Sequence, residues 1–381
     1  MNQSEPLRYA IIGTGGIAKA HAEAIRKNAQ STLVGVYDVV RAKAEKFAAE
    51  HGAGLVFETL EALLGSKQVQ AVTICTPPRT HAGIVQAACR AGKPVLCEKP
   101  VVLSLKELDE TVAVQQATRG VVGCVFQWRS GRGVRMMRRL VEAGLTGRLL
   151  WANVQIAWYR NQAYYEVPWR GRWENESGGV SVSQSIHAID ALLHVAGPAK
   201  RVTAHIRTLN HKIEVEDYAQ VLVEFANGAG AVLQMTVDCL KERSQLMFGF
   251  ERLTAISNDS PYNVADFPWT YQAVDHQTGD PLKLGAAAAE EHAAMVERQR
   301  QIDAVRAEME AWPSGASHAA QIGDFTQAVR EGRAPAVGLE DCRLSAEFLS
   351  ALYKSAHAGG AAVTLPIGQE DRHYATWNGI V

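Results

Sequence analysis

Gly13-Thr14-Gly15-Gly16-Ile17-Ala18 follows the apolar run Arg8 to Ile12 and opens a segment with helical spacing. This is the pattern G-x-G-x-x-G/A with Ala18 in the third small position, and its chemistry is pyrophosphate binding. Gly13 permits the tight turn, Gly15 lets the backbone approach the phosphates, and a small residue at 18 lets helix and strand pack closely. The helix N-terminus then faces the anion, with Thr14, Gly16 and Ile17 around it. A glycine-rich turn alone is weak. Here Asp38 ends the next β-rich run, Thr32 to Tyr37, at about the spacing (roughly 20 residues) expected of a ribose-binding acid. A carboxylate there accepts from both ribose hydroxyls, each bond worth roughly 1.5–3 kcal/mol. It repels a 2′-phosphate, which favours NAD, while nearby Arg41 keeps NADP possible. The alternative makes Asp38 an N-cap for a helix over 39–50.

Further along, Cys75-Thr76-Pro77-Pro78-Arg79-Thr80-His81 ends another apolar run. Two prolines turn the chain over the carboxyl edge of a sheet, where ligands bind. Thr76 and Pro77 would floor a nicotinamide ribose pocket. His81 is either a ligand contact or a plain helix-start residue. Glu98-Lys99-Pro100 and Gln127 follow two later strands and join the expected cofactor contacts. The segment WYRNQAYYEVPWRGRW at 158–173 interleaves aromatics and arginines. Aromatic faces with guanidinium donors suit a carbohydrate pocket, and Tyr159, Arg160, Trp169 and Arg170 are the expected substrate contacts. The competing reading is that at least half of these aromatics cement the loop to a sheet.

The elements that must position these groups show two patterns. Up to about residue 125, strand-like runs (8–12, 32–37, 71–75, 93–97, 121–126) alternate with helical stretches (17–27, 41–50, 81–91, 105–118). That predicts βαβ units and a parallel sheet. After about residue 148, longer β segments (149–158, 201–209, 218–225, 230–239, 245–250) follow one another. Asn227-Gly228 between two of them signals a hairpin. In 218–225 one face carries Tyr218, Gln220, Leu222 and Glu224, the other Ala219, Val221, Val223 and Phe225. One apolar and one mixed face predict an antiparallel sheet with helices on one side, its other side wet or covered by another subunit. Residues 285–311 read as a long surface helix. The expected division is residues 1–125 and 126–381.

Length and composition suit two ordinary globular domains: 381 residues, 47% hydrophobic and 21% charged. A formal net charge of -1 argues against nucleic acid or an anionic membrane as the main partner. The basic cluster Arg132, Arg135, Arg138, Arg139 reads as one solvated helix face. Six scattered cysteines without a C-x-x-C pair suggest buried thiols in a reducing compartment, with no metal site. No segment reaches the roughly 18 apolar residues of a membrane span, and MNQSEPLRYAIIG lacks a signal-peptide core. A cytoplasmic protein is expected.

Taken together, the glycine-rich loop, Asp38, THAGIVQAACRAGKPVLCEKP at 80–100, GGVSVSQSIHAIDALLHVAG at 178–197, FTQAVREGRAPAV at 325–337 and ALYKSA at 351–356 resemble the Gfo/Idh/MocA oxidoreductases. The resemblance implies a Rossmann domain followed by a C-terminal α/β domain with a large, mostly antiparallel open sheet. It further implies association through that sheet as a homodimer or homotetramer. In the family the lysine of E-K-P lies beside the nicotinamide and touches the reacting hydroxyl, which assigns Lys99 as catalytic, often followed by a cis proline. His187 matches the family's catalytic histidine, and Asp190 reads as a structural helix residue. Many members carry an aspartate four residues before that histidine. Here the position is Ser183, followed by Gln184, which suggests neutral hydrogen bonds to sugar hydroxyls. His318 is a weaker candidate for reaching the site.

The implied reaction is NAD-dependent oxidation of a secondary alcohol of a sugar, sugar acid or cyclitol, or the reverse. A neutral Lys99 at pH 7 needs its pKa lowered by about 3, costing about 4 kcal/mol, whereas histidine starts near 6.5. His187 is therefore the expected proton acceptor and Lys99 the polariser and relay. A glycoside hydrolase using NAD transiently, and a non-catalytic nucleotide and sugar sensor, are the alternatives.

Overall fold

The computed structural model describes residues 5–273, 286–312 and 315–378. Its first layer is a six-stranded sheet of β1 (Leu7–Ile12), β2 (Ser31–Tyr37), β3 (Leu55–Val56), β4 (Ala71–Ile74), β5 (Val95–Cys97) and β6 (Val122–Cys124). The strand order is β3-β2-β1-β4-β5-β6 and every pair is parallel. This doubly wound order reverses direction between β1 and β4, which opens a crevice at their carboxyl ends. Helices α1 (Gly16–Lys27), α2 (Arg41–His51), α3 (Leu60–Gly65), α4 (His81–Arg90) and α5 (Leu105–Thr118) cover both faces. The strands are short and apolar because neither face meets water: all four residues of β4 are buried. Thr59 and Ser104 start α3 and α5 by accepting the Ala62 and Glu107 N–H groups.

Beyond α6 (Arg132–Glu142) comes β7 (Leu149–Tyr159), and then α7 (Trp173–Glu176), α8 (Val180–Ser183) and α9 (Ile186–Ala196) in close succession. Six strands follow: β8 (Ala199–Arg207), β9 (Tyr218–Phe225), β10 (Gly230–Thr236), β11 (Asp238–Phe250), β12 (Leu253–Ile256) and β13 (Thr270–Ala273). The chain closes with α10 (Ala286–Glu310), α11 (His318–Glu331), α12 (Leu339–His357), β14 (Val363–Thr364) and α13 (Arg372–Ala375). Residue 285 of the expected surface helix lies outside the described residues. The second sheet has eight strands in the order β13-β12-β11-β7-β10-β9-β8-β14. Its pairs are antiparallel except β7 with β10.

The alternation expected in 218–225 is present: Ala219, Val221, Val223 and Phe225 are buried, and Gly228 at φ +84° turns the chain into β10. On the opposite face Leu222 and Val232 pair across the ladder, 57% and 48% exposed, with Trp151 nearby at 42%.

Two expectations change. The last strand of the parallel sheet ends at Cys124, but α11 returns to that sheet's core. Ile322 and Phe325 share a core with Leu7, Tyr9 and Ile11, and Tyr9 bonds Thr326 at 2.9 Å. The Rossmann layer thus includes a helix from the far end of the chain. The α6 arginines, moreover, are not simply solvated. Arg132 pairs with buried Asp266 at 2.6 Å, Arg139 with Glu308 at 3.2 Å, and Arg135 stacks over Trp312. They pin α6 to the elements packed around it.

Candidate active site

The glycine-rich turn is built as its residue types require. Gly13 sits at φ +87°, and a Cβ there would lie 2.7 Å from Thr76 Cγ2. A Cβ on Gly15 or Gly16 would meet nothing within 4 Å. The loop's outer side is therefore an open cradle at the start of α1, whose first turn holds no acidic residue. Unsatisfied N–H groups and a positive helix end there suit a pyrophosphate. Ile17 is exposed beside the cradle, and Ala18 is fully buried against the sheet.

Asp38 Oδ2 accepts the Thr14 N–H at 2.8 Å and the Thr14 hydroxyl at 2.9 Å, and Oδ1 accepts the Val40 N–H. It ties the glycine-rich loop to the end of β2. The first residue before α2 is Val40, so Asp38 does not take the N-cap position. The Arg41 guanidinium pairs with Glu45 at 2.8 Å and with Glu58, which occupies the cation that would favour a 2′-phosphate.

On the other side of the crevice the E-K-P turn is wired into its surroundings, and the Lys99-Pro100 bond is cis. His81 differs from the expected ligand contact. It is 1% exposed, and its ring nitrogens lie against two carbonyls, Nδ1 2.7 Å from Pro100 and Nε2 2.8 Å from Thr76, the neutral ring donating to one of them. It clamps the E-K-P turn to the Thr76-Pro77 loop. Glu98 is likewise turned into protein. Its Oε1 meets His21 Nε2 at 2.9 Å and His318 Nε2 at 3.0 Å, and its Oε2 accepts the Lys99 N–H. Burial pushes this carboxyl up, but the hydrogen bonds from the two histidines outweigh that and hold it well below the usual range. His318 does reach the site, from behind Glu98.

Lys99 Nζ donates to the Ser183 carbonyl at 2.6 Å, which joins the E-K-P turn to the end of α8. Burial pushes its ammonium below the ordinary lysine range. Next along is His187, 5% exposed, stacked on Trp128 at 6.0 Å and edge-on to Phe126. Burial first, and the Lys99 charge second, hold its imidazole well below the usual value. Enclosure disfavours the protonated ring, which counts against the expectation of His187 as the proton acceptor. His187 Nδ1, Gln184 Oε1 and Gln127 Oε1 are all buried with no protein partner. Buried polar atoms are rarely left orphaned, and among the described residues these three stand out beside Lys99 and the end of β6 as free to meet a bound molecule. Asp190 is structural, as expected, gripping Arg129 through two bonds of 2.8 Å.

The aromatic segment divides. Trp158 is bonded to Ser244, Tyr165 packs on His211, and Trp173 packs on Tyr353, so these three hold the loop in place. Tyr159 is a correction: strand alternation puts it opposite Trp158, on the outward face with Trp151. Arg160 stays on the cleft side, paired with Glu242 at 3.0 Å and enclosed by Trp158, Tyr164 and Tyr262. Arg170 lies between Tyr164 and Trp169, and Gln184 Nε2 reaches Tyr164 Oη at 3.3 Å.

Sequence reasoning missed Glu176, Tyr164 as a polar partner, and Trp128 as the platform under His187. Glu176 is buried, accepts from Ser183 Oγ at 2.9 Å and from the Gly171 N–H. The only signal in the sequence was a carboxylate two residues before Gly178-Gly179.

Residues 7–126 match the family profile described as an oxidoreductase family with an NAD-binding Rossmann fold. Residues 134–252 match the profile of the GFO/IDH/MocA C-terminal domain. An inositol 2-dehydrogenase from Rhizobium meliloti is 29% identical over 232 residues, 60% of this chain and 68% of that protein. A D-glucoside 3-dehydrogenase from Escherichia coli is 30% identical over 208 residues, 53% and 58% of the two chains. Among solved structures, the WlbA dehydrogenase from Bordetella pertussis in complex with NADH and UDP-GlcNAcA superposes with a TM-score of 0.79. It is 22% identical, and the match covers 97% of this chain and 100% of that one. Levoglucosan dehydrogenase in complex with NADH and levoglucosan gives 0.76 at 19% identity, covering 95% and 100%. At those identities the structural likeness speaks for the fold.

Proposed function

Because the chain belongs to the Gfo/Idh/MocA family of NAD-binding oxidoreductases, we propose that it moves a hydride between nicotinamide and a secondary alcohol or ketone of a sugar, sugar acid or cyclitol. The observation that carries this reading is the convergence of Lys99, His187 and the orphaned Gln184 Oε1 at the mouth of the dinucleotide crevice. The relatives named for inositol and glucoside oxidation point to the same substrate class.

The cradle at Gly15 and Gly16 would take the pyrophosphate, Asp38 the adenosine ribose, and Thr76, Pro77 and Gln127 the nicotinamide half. When bound, the nicotinamide supplies the hydride acceptor or donor. Lys99, with its proton affinity lowered by burial, takes the hydroxyl proton at Nζ. Neutral His187 orients the hydroxyl through a ring nitrogen, so the proton is assigned to the lysine and not to the histidine. Ser183, Gln184, Arg160, Trp169 and Arg170 would frame the remaining hydroxyls. Asp38 with Arg41 already paired supports NAD over NADP. Copies of the chain pair through the outward sheet face around Leu222 and Val232, in a reducing, cytoplasmic setting suited to free cysteines. No helix among the described residues is long and apolar enough to cross a membrane.

The test is absorbance at 340 nm with NAD and a panel of free sugars, sugar acids, cyclitols and aryl glycosides. Net NADH with a free polyol is expected. Aglycone release without net NADH would replace this reading with transient-redox hydrolysis. Lys99→Ala and His187→Ala should bind NAD as the parent does and lose turnover by about 10²-fold or more.

A further inference from the structure

Ser183 leaves the cleft without the carboxylate that the family resemblance places four residues before His187, and the structure supplies one from another element. Glu176, at the end of α7, is 4% exposed and accepts from Ser183 Oγ at 2.9 Å. The carbonyl of that same serine accepts from Lys99 Nζ at 2.6 Å. One residue thus touches both the buried carboxylate and the amine. The charges acting on Lys99 are Glu98 and Glu176 against Arg170 and Arg160, with His187 alongside. Glu98 is engaged by two histidines. Among the described residues no lysine or arginine forms a direct ion pair with Glu176. Burial pushes the Glu176 carboxyl up, and the Gly171 N–H, the Ser183 hydroxyl and the charges of Arg170 and Lys99 act against that and favour its ionised form.

We propose that Glu176 is the positioning carboxylate of Lys99, displaced from residue 183 to the preceding helix and coupled to the lysine through Ser183. The inference rests on the dehydrogenase reading above. In oxidation the substrate's C–H electron pair goes to the nicotinamide, its O–H proton to Lys99 Nζ, and the C–O bond becomes a carbonyl. Lys99 gains a positive charge in that step, and a nearby carboxylate stabilises it. The lysine becomes a stronger base that also protonates at higher pH.

Glu176→Gln keeps the length of the side chain, its amide oxygen still able to accept from Gly171 and its nitrogen to donate to Ser183 Oγ. Reductive ¹³C-methylation, with the Lys99 signal assigned by Lys99→Arg, reads the lysine's titration by NMR without cofactor or substrate. In Glu176→Gln the Lys99 midpoint moves down. In the double variant Glu176→Gln/Ser183→Asp it moves back up. In turnover, the acid limb of kcat shifts to lower pH while the alkaline plateau falls, with NAD affinity and Tm unchanged. If Glu176→Gln does not fold, Glu176→Ala carries the reading: the charge is gone with the side chain, and the Lys99 midpoint again falls. An unmoved midpoint, or a lower rate with an unmoved limb, overturns the proposal and leaves Glu176 a brace for the loop. If the parent protein oxidises no member of the panel, the dehydrogenase reading fails, and the NMR titration still decides Glu176.

Discussion

Asp38 uses three of its roughly four acceptor sites on its own chain, binding Thr14 twice and Val40 once, and leaves room for a ribose hydroxyl. Asp38→Ala removes the loop tie and the proposed ribose acceptor together. Losing about 1.5–3 kcal/mol raises the NAD Kd by roughly 10- to 150-fold, as measured by quenching of intrinsic fluorescence. An unchanged Kd would remove Asp38 from the cofactor site. At this scale the sequence was informative wherever a residue type answers a local demand. Gly13 is needed for its positive φ, and Lys99 and His187 stand in recognisable strings. Tyr159 was misjudged because its facing depends on β7 running on to include it, and His81 because the Thr76 and Pro100 carbonyls fold back onto its ring. Glu176 ends a four-residue helix, too short for any periodicity to announce it.

The short helices α7 and α8 set the reach of everything in the cleft, and buried Glu216 sets them. Its carboxylate accepts the Gly179 N–H at 2.9 Å, the Ser181 N–H at 3.0 Å and the Tyr353 hydroxyl at 2.9 Å. Gly179 is pressed so closely to this residue, two before β9, that an added Cβ would lie 1.8 Å from the Glu216 carbonyl. Gly179→Ala must push backbone from backbone, at a cost of about 3 kcal/mol. A clear fall in Tm and loss of turnover by displacement of Ser183 and His187 are expected. A variant that melts like the parent would show that α8 can move freely. Elements with caps or strict alternation were legible to the residue, as with 105–118 and 218–225. The two-residue strands β3 and β14 carry too little pattern to be seen, and they form only because a neighbouring edge is available to them.

Across the whole molecule, buried neutral histidines make stability depend on pH. Burial, with Arg129 and Arg138 nearby, pushes His194 down to about 4, and burial likewise lowers His187, His81 and His21. The unfolded chain takes up these protons near pH 6.5 and the native state does not. The stability is therefore complete above pH 6.5 and lost as pH falls toward 4. Tm should drop steadily between pH 7 and 5, and a flat profile would contradict the burial of these rings. The proposed pairing of outward sheet faces predicts that Leu222→Glu with Val232→Glu lowers the mass found by light scattering. The same mass in parent and variant would rule that face out. The two-domain plan was visible in the sequence, but the return of α11 was not, since an amphipathic helix does not say which sheet it covers. That return also bears on how the protein is made. Phe325 packs against the strand that ends at Cys124, about 200 residues earlier, which a ribosome adding roughly 5–20 residues per second needs some 10–40 s to deliver. For that interval the nascent nucleotide-binding half lacks the cover that Ile322 and Phe325 give to the patch around Tyr9 and Gly123. It is then a client for chaperones, and a fragment ending at residue 125 would inherit the same exposed surface permanently.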